Sequence, residues 1–138
     1  MEVAAAPTPR AMVEPNRTSY VGVPNNYYAD APDTDPTIVV LGHPIQLHFT
    51  VSEVTWHFGD GQTQVGNGVR GAAIAQAGAV EHAYAKGALY SITATTSVGV
   101  RFTLPDGLQV DQPDVFARTS EPVTLPVVEI QALVDQVG

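Results

Sequence analysis

Residues 90–104 constrain the fold more than any other stretch, because two kinds of residue alternate along them without a break. A period of two residues is typical of a β-strand with one buried face. The face expected to be buried carries, in order, Tyr90, Ile92, Ala94, Thr96, Val98, Val100 and Phe102. At ~3.4 Å per residue this strand would extend about 50 Å, more than an ordinary sandwich is tall. We therefore expect it to bend near Gly99 or to protrude as a ribbon that turns at Pro105-Asp106-Gly107.

Several shorter stretches also predict strands, separated by turn signals and without a convincing helix. They lie at residues 38–41, 45–51, 54–58, 80–84 and 123–134. Residues 62–79, rich in Gly and Ala, leave open a short edge hairpin or a turn of helix. Strands at short intervals predict an all-β fold, an antiparallel immunoglobulin-like β-sandwich of about seven to nine strands.

The first 36 residues differ in composition from the rest of the chain, since they hold six of the 11 prolines. We interpret residues 1–36 as an extended proline-rich arm or linker on the surface, and residues 37–138 as the sandwich domain. A patch at residues 20–28, with three tyrosines and two valines, could attach this arm to the domain.

Composition narrows the classes of partner. The 138 residues carry a net charge of -8, and the six basic residues are scattered, which argues against nucleic acid and anionic membranes. No apolar run approaches the ~20 residues needed to cross a bilayer. There is no cysteine for a disulfide or a thiolate site. The first residues lack the basic and apolar start of a signal peptide, so an exported form is expected to carry its leader outside this sequence.

A second feature is the motif Trp56-His57-Phe58-Gly59-Asp60-Gly61. The chain has to reverse directly after a buried aromatic strand, and glycine adopts the positive φ that such turns need. The Asp60 carboxylate is expected to accept hydrogen bonds from backbone amides of the turn. Trp56 is expected to be the central aromatic of the core.

Together with His82-Ala83-Tyr84 and Gly87-Ala88-Leu89-Tyr90, this motif resembles the signature of the PKD (polycystic kidney disease) domain family. The resemblance covers residues 37–133 and is strongest over 56–61 and 82–96. It implies an immunoglobulin-like sandwich and a structural hydrogen bond for His82. Tyr90, three residues after Gly87, matches the position of a corner tyrosine whose hydroxyl bonds the backbone. The chain departs from the family in a longer segment before His82, in the ribbon near residue 105, and in Lys86, where a proline is usual.

Sites for metals and catalysis are poorly supported by the pattern. The histidines His43, His48, His57 and His82 have no metal-ligand spacing, and no catalytic motif or cofactor fingerprint is present. Acidic residues cluster as Asp30, Asp33, Asp35 and as Asp106, Asp111, Asp114. Because some PKD domains bind calcium near the domain entrance, the resemblance makes Asp33 and Asp35 weak calcium candidates. No other cofactor is expected.

The resemblance implies a non-catalytic module of a secreted or cell-surface bacterial protein. It would bind an unidentified protein or cell-envelope component, or act as a folded spacer, as a monomer or a weak dimer through open strand edges. The alternative is a polysaccharide-binding accessory module of a secreted enzyme. Exposed, coplanar aromatics among Tyr20, Tyr27, Tyr28 and Phe116 would favour that alternative. An apolar patch along residues 98–110 would favour protein binding.

Overall fold

The computed structural model describes residues 7–15, 18–31 and 33–130, apart from the side chains of residues 114 and 115. Ten β-strands account for most of this part of the chain. In chain order they are β1 (Arg10–Glu14), β2 (Ser19–Tyr20), β3 (Asn25–Asp30), β4 (Thr37–Val40), β5 (His43–His57), β6 (Thr63–Val65), β7 (Val80–His82), β8 (Ala88–Thr103), β9 (Gln109–Thr119) and β10 (Val123–Val128).

The strands form two sheets. In the smaller sheet, β3 lies between β1 and β7. In the larger sheet, β5 and β8 pair antiparallel along most of their length. β10 and β9 follow one another along the other edge of β8, while β4 and β6 share the other edge of β5. β2 adds to β10, the one parallel pairing among the described strands. The predicted all-β, sandwich-like fold is confirmed.

Aromatic side chains fill the core between the sheets. The Tyr27 ring from β3 lies 5.7 Å from that of Trp56 and 4.9 Å from that of Phe58, measured between centroids. All three side chains are buried, which confirms the expected place of Trp56. The indole Nε1 of Trp56 donates to the Gly66 carbonyl at 2.8 Å, so its polar group is satisfied. The other buried residues of this cluster are Ala11, Val13, Val54, Val80, Tyr84, Ile92, Ala94, Leu125 and Val127.

β1, β2 and β3 are part of the sandwich, which corrects, for these strands, the expectation that residues 1–36 form an arm on its surface. β1 and β3 make up most of the smaller sheet, and Tyr27 lies at the centre of the core. The prolines stand outside these strands, at Pro7, Pro9, Pro15 and Pro24. Because proline lacks an N–H for strand pairing, it is tolerated between strands. Pro15 and Pro24 therefore lie in the connections between strands of the sandwich.

β5 and β8 continue into a four-stranded extension, which we call the distal ribbon. It consists of β4, residues 43–51 of β5, residues 97–103 of β8 and residues 109–116 of β9. Its apolar side forms a second cluster, in which Leu47, Phe49, Val98 and Val100 are buried. No residue of β1, β3 or β7 belongs to this cluster. The predicted ribbon with a turn after β8 is confirmed, and β5 joins the two predicted strands at 45–51 and 54–58.

We expect Tyr27→Ala to destabilise the protein by about 3–5 kcal/mol, because it leaves a cavity among the core aromatics. Tyr28→Ala is the matched control. Tyr28 is the next residue along β3 and only half buried, so its loss should change the free energy of unfolding far less. Urea denaturation of both variants measures the two values. Equal effects would mean that β3 does not contribute to the core.

Candidate functional site

The residues of the sequence signature gather around the turn after β5. The Asp60 Oδ1 accepts a hydrogen bond from the Gln62 backbone N–H at 3.0 Å, which confirms the predicted capping of the turn. The His82 Nε2 lies 2.7 Å from the Asp60 Oδ2, so the ring N–H donates to this carboxylate. Burial raises the pKa of the Asp60 carboxyl, but the hydrogen bonds from Gln62 and His82 outweigh it and leave that pKa below its ordinary value.

Aromatic rings continue this cluster from His82. The imidazole is stacked on the Phe58 ring, with centroids 4.0 Å apart, and meets the Tyr84 ring edge-on. The Tyr84 hydroxyl donates to the Phe58 carbonyl at 2.7 Å, and burial raises its pKa to about 12. Tyr90 stacks on Tyr84 and donates its hydroxyl proton to the Lys86 carbonyl at 2.7 Å, as predicted for a corner tyrosine. Through these contacts the turn after β5, strand β7 and the start of β8 pack against one another.

Two glycines of the signature are required by close backbone approach. At Gly59, where φ is +85°, a Cβ would lie 2.6 Å from the Ser91 carbonyl oxygen. At Gly87 a Cβ would lie 3.1 Å from the Val127 carbonyl oxygen. Gly61 also has a positive φ, of +89°, but a Cβ there would meet nothing within 4 Å. Among these three signature glycines, only Gly59 combines a left-handed conformation with a backbone clash.

Gly59→Ala should destabilise the protein by several kcal/mol, because the turn must move away from Ser91. Gly61→Ala is the matched control. It meets only the cost of a positive φ, about 1–2 kcal/mol. Thermal unfolding of both variants tests the difference, and similar losses would show that the Ser91 contact does not constrain the turn.

The lowered pKa of Asp60 predicts an acid-dependent contribution to stability. An ionised Asp60 favours the folded state, since its folded pKa lies below the unfolded value of about 3.9. Its contribution is therefore complete above that value and is lost as the pH falls through the folded pKa. The gap in unfolding free energy between the wild type and Asp60→Asn should shrink from about pH 6 to about pH 2. In a His82→Gln background this pH-dependent part should be smaller. A gap that is constant with pH would contradict the role of the carboxylate charge.

The calcium candidates Asp33 and Asp35 contact β5. The Asp35 Oδ1 lies 2.5 Å from the His48 Nδ1, and the Asp33 Oδ2 lies 3.7 Å from the His48 Nε2. The Asp33 Oδ1 also accepts from the Val51 backbone N–H. The two carboxylates therefore contact different ring nitrogens of His48. Within the described residues, no group of three or more His, Asp or Glu side chains is arranged to hold a metal ion.

The other acidic candidates have separate roles. The Asp106 Oδ1 accepts from the Leu108 backbone N–H at 3.0 Å in the turn after β8. Asp111 pairs with Arg101, whose Nε donates to its Oδ1 at 2.6 Å. This hydrogen bond lowers the pKa of Asp111 and raises that of Arg101. The side chain of Asp114 lies outside the described residues.

A groove of about 470 Å³ lies on the polar face of the distal ribbon. It is lined by His48, Thr50, Ser52, Gly99, Val100, Arg101, Asp111, Gln112 and Pro113. His48 of β5 pairs across the sheet with Arg101 of β8, and Arg101 with Asp111 of β9. Polar side chains from three adjacent strands thus form one row across the groove. No sequence motif marks this site, because its members are brought together only by the register of the strands.

Irregularities in strand pairing coincide with the groove. The β5–β8 register shifts between Val51 and Glu53, and the β8–β9 register shifts between Val98 and Val100, around the predicted bulge point Gly99. Bulges locally bend and twist a sheet and are common beside binding sites. The ribbon is therefore irregular along the line where its polar face is hollow.

The far end of the distal ribbon is apolar. Because β5 and β8 are antiparallel, the β4–β5 turn and the β8–β9 turn lie at the same end. The exposed apolar residues there, which we call the apolar tip, are Val39, Val40, Leu41, Leu108 and Val110. Leu41 is 94% exposed. Across residues 38–45 and 104–110 the only acidic or basic residues are His43 and Asp106.

The aromatic residues named for sugar binding are not on one surface. Tyr27 is buried in the core, and the Phe116 ring packs on Phe49 with centroids 6.3 Å apart. Tyr20 lies in the larger sheet and Tyr28 in the smaller one. The place of Tyr27 in the core has no sequence signal of its own, since Asn-Asn-Tyr-Tyr at residues 25–28 lacks a period of two and the surrounding prolines favour an arm. Only in the structure do these residues alternate between buried and half-buried positions.

Comparison with known proteins does not assign the chain to a family. The chain matches no protein-family model, and no curated protein matches it significantly. Among the described residues no helix is long and apolar enough to cross a membrane.

Proposed function

We propose that this chain is a non-catalytic, PKD-like module of a secreted or cell-surface bacterial protein, and that it binds another protein through its apolar tip. The support for the PKD assignment is the signature cluster around Asp60 and His82, in which His82 makes the structural hydrogen bond that the resemblance implies. The support for binding is the exposed tip of the distal ribbon.

The binding proposal rests on the backbone conformation and the exposure of Leu41. Leu41 forms a two-residue turn with Gly42, with φ values of +51° and +79°. This is the conformation of a type I′ hairpin turn, in which Asn-Gly is strongly preferred and leucine is unfavourable. A strained leucine that is 94% exposed contributes little to folding. Backbone strain of this kind is common where a residue serves binding.

The chemistry of the tip favours a protein partner. The chain has a net charge of -8, yet the tip is nearly free of charge. Interface centres are depleted of charged residues in the same way. Since the tip protrudes on two hairpins, its partner should present an apolar recess. Val39, two residues before Leu41, is 70% exposed. Leu108, between β8 and β9 at the same end of the ribbon, is 56% exposed.

The two other interpretations predict different behaviour. A polysaccharide-binding module of the kind expected from the sequence would need aromatic residues on one flat face, whereas the aromatics named for it are buried or lie in different sheets. A folded spacer would need no exposed leucine at a strained turn. The apolar patch, including Leu108 and Val110, favours protein binding.

Saturable binding of the labelled protein to envelope and secreted protein fractions of the source organism tests the proposal. The variant Val39→Thr/Leu41→Asn/Leu108→Ser should lose at least tenfold in affinity, because it removes the apolar contacts. The control is Ile74→Ser/Leu89→Thr, which replaces residues that are 85% and 73% exposed elsewhere. Equal binding by both variants would refute docking through the tip. Sedimentation at rising concentration separates partner binding from self-association.

The single change Leu41→Asn should have opposite effects on stability and on binding. It replaces leucine with the residue that a type I′ turn prefers, so the free energy of unfolding should rise by about 0.5–1 kcal/mol. Binding to the partner fraction should fall. Urea denaturation and the binding assay measure the two effects on one sample. A variant that is less stable would show that the leucine packs in the fold and is not held outward for a partner.

A further inference from the structure

The groove on the polar face of the distal ribbon is chemically unlike the apolar tip. We propose that it binds a neutral, hydroxyl-rich ligand, namely a saccharide unit. Its volume of about 470 Å³ falls within the range of small-molecule sites, roughly 300–1,000 Å³. The proposal does not depend on the tip binding a protein, because the two surfaces use different residues.

The groove forms where β5, β8 and β9 depart from regular strand pairing at the same place. The register shift in β5 lies next to Ser52, and the shift between β8 and β9 lies at Gly99, the residue without a side chain on the central strand. Thr50 pairs with Gly99 across the sheet. A missing side chain between two bulges leaves a hollow where a regular sheet would present a continuous row of side chains.

The side chains around this hollow suit hydroxyl groups. Two of the Arg101 N–H donors go to Asp111, at 2.6 and 3.4 Å. A guanidinium has five donors, and a carboxylate oxygen can accept more than one hydrogen bond, so both partners keep capacity for a ligand. A hydroxyl is donor and acceptor at once. Neighbouring hydroxyls of a sugar can therefore donate to Asp111 while accepting from Arg101.

Charge and backbone pairing argue against other ligands. Asp111 lines the groove and Asp33 and Asp35 lie beside it on His48, so carboxylates outnumber the Arg101 guanidinium, which disfavours anions. A peptide strand usually binds by pairing with an open sheet edge. Along the groove β5 and β8 pair with each other on both sides of Ser52, so neither strand offers an open edge to a peptide.

Recognition here would differ from the aromatic stacking expected from the sequence. The groove lining contains no aromatic ring other than the imidazole of His48. Hydrogen bonds exchanged with water contribute little each, so the affinity for one saccharide should be weak, in about the millimolar range. Such a site would act as one contact among several on a longer glycan.

Amide chemical shifts of the whole ¹⁵N-labelled chain test the proposal. The probes are neutral oligomers of glucose (α- and β-linked), mannose, xylose and N-acetylglucosamine, each in the millimolar range, with a galacturonate oligomer and a Gly-Ser peptide for comparison. We expect saturable shifts at Thr50, Gly99 and Gln112 with at least one neutral oligomer, and none with galacturonate or the peptide.

Exposed residues supply variants that should leave the fold intact. Arg101→Gln and Asp111→Asn should each weaken the binding by about ten- to hundredfold, because each removes hydrogen bonds to a charged group. Lys86→Gln and Glu121→Gln make the same charge changes at exposed positions outside the groove and should bind normally. Unshifted groove amides with every neutral oligomer, shifts confined to another surface, or groove shifts with the peptide or galacturonate alone would each overturn the proposal.

Discussion

The antiparallel pairing of β5 with β8 is the contact on which the rest of the structure depends. It runs from His57 and Thr93 to Gln46 and Thr103, through both the sandwich and the distal ribbon. One end of this pair carries the aromatic core, and the other carries the second apolar cluster. Because all remaining strands of the larger sheet attach to these two directly or through β10, their register decides which side chains face the core and which face outward.

Departures from regular strand structure coincide with the surfaces proposed for binding. The register shifts near Ser52 and Gly99 lie in the groove, and the left-handed Leu41 lies at the tip. The signature turn at Gly59 also has a positive φ, but there the conformation is explained by packing against Ser91. Irregular backbone that packing does not explain is where a function is best sought. This is the case for Leu41.

The two proposed surfaces would let one ribbon make two kinds of contact. The tip offers apolar side chains with few charges, while the groove offers a guanidinium, carboxylates and hydroxyls. Both stand on strands whose other face is buried in the second cluster, so their geometry is held by the same packing. A partner at the tip and a glycan at the groove would therefore bind without competing for residues.

The sequence by itself determined the strands with a clear period of two, the buried Trp56 and the contacts of Asp60 and Tyr90. These depend on alternation and on turn chemistry, which act between residues close in the chain. Only the tertiary structure decided that Tyr27 belongs to the core, that His48, Arg101 and Asp111 form one row, and that Leu41 and Leu108 share one end of the ribbon. The physical reason is that cross-strand register joins residues far apart in the chain, and register is chosen by packing of the whole sheet and not by any local pattern.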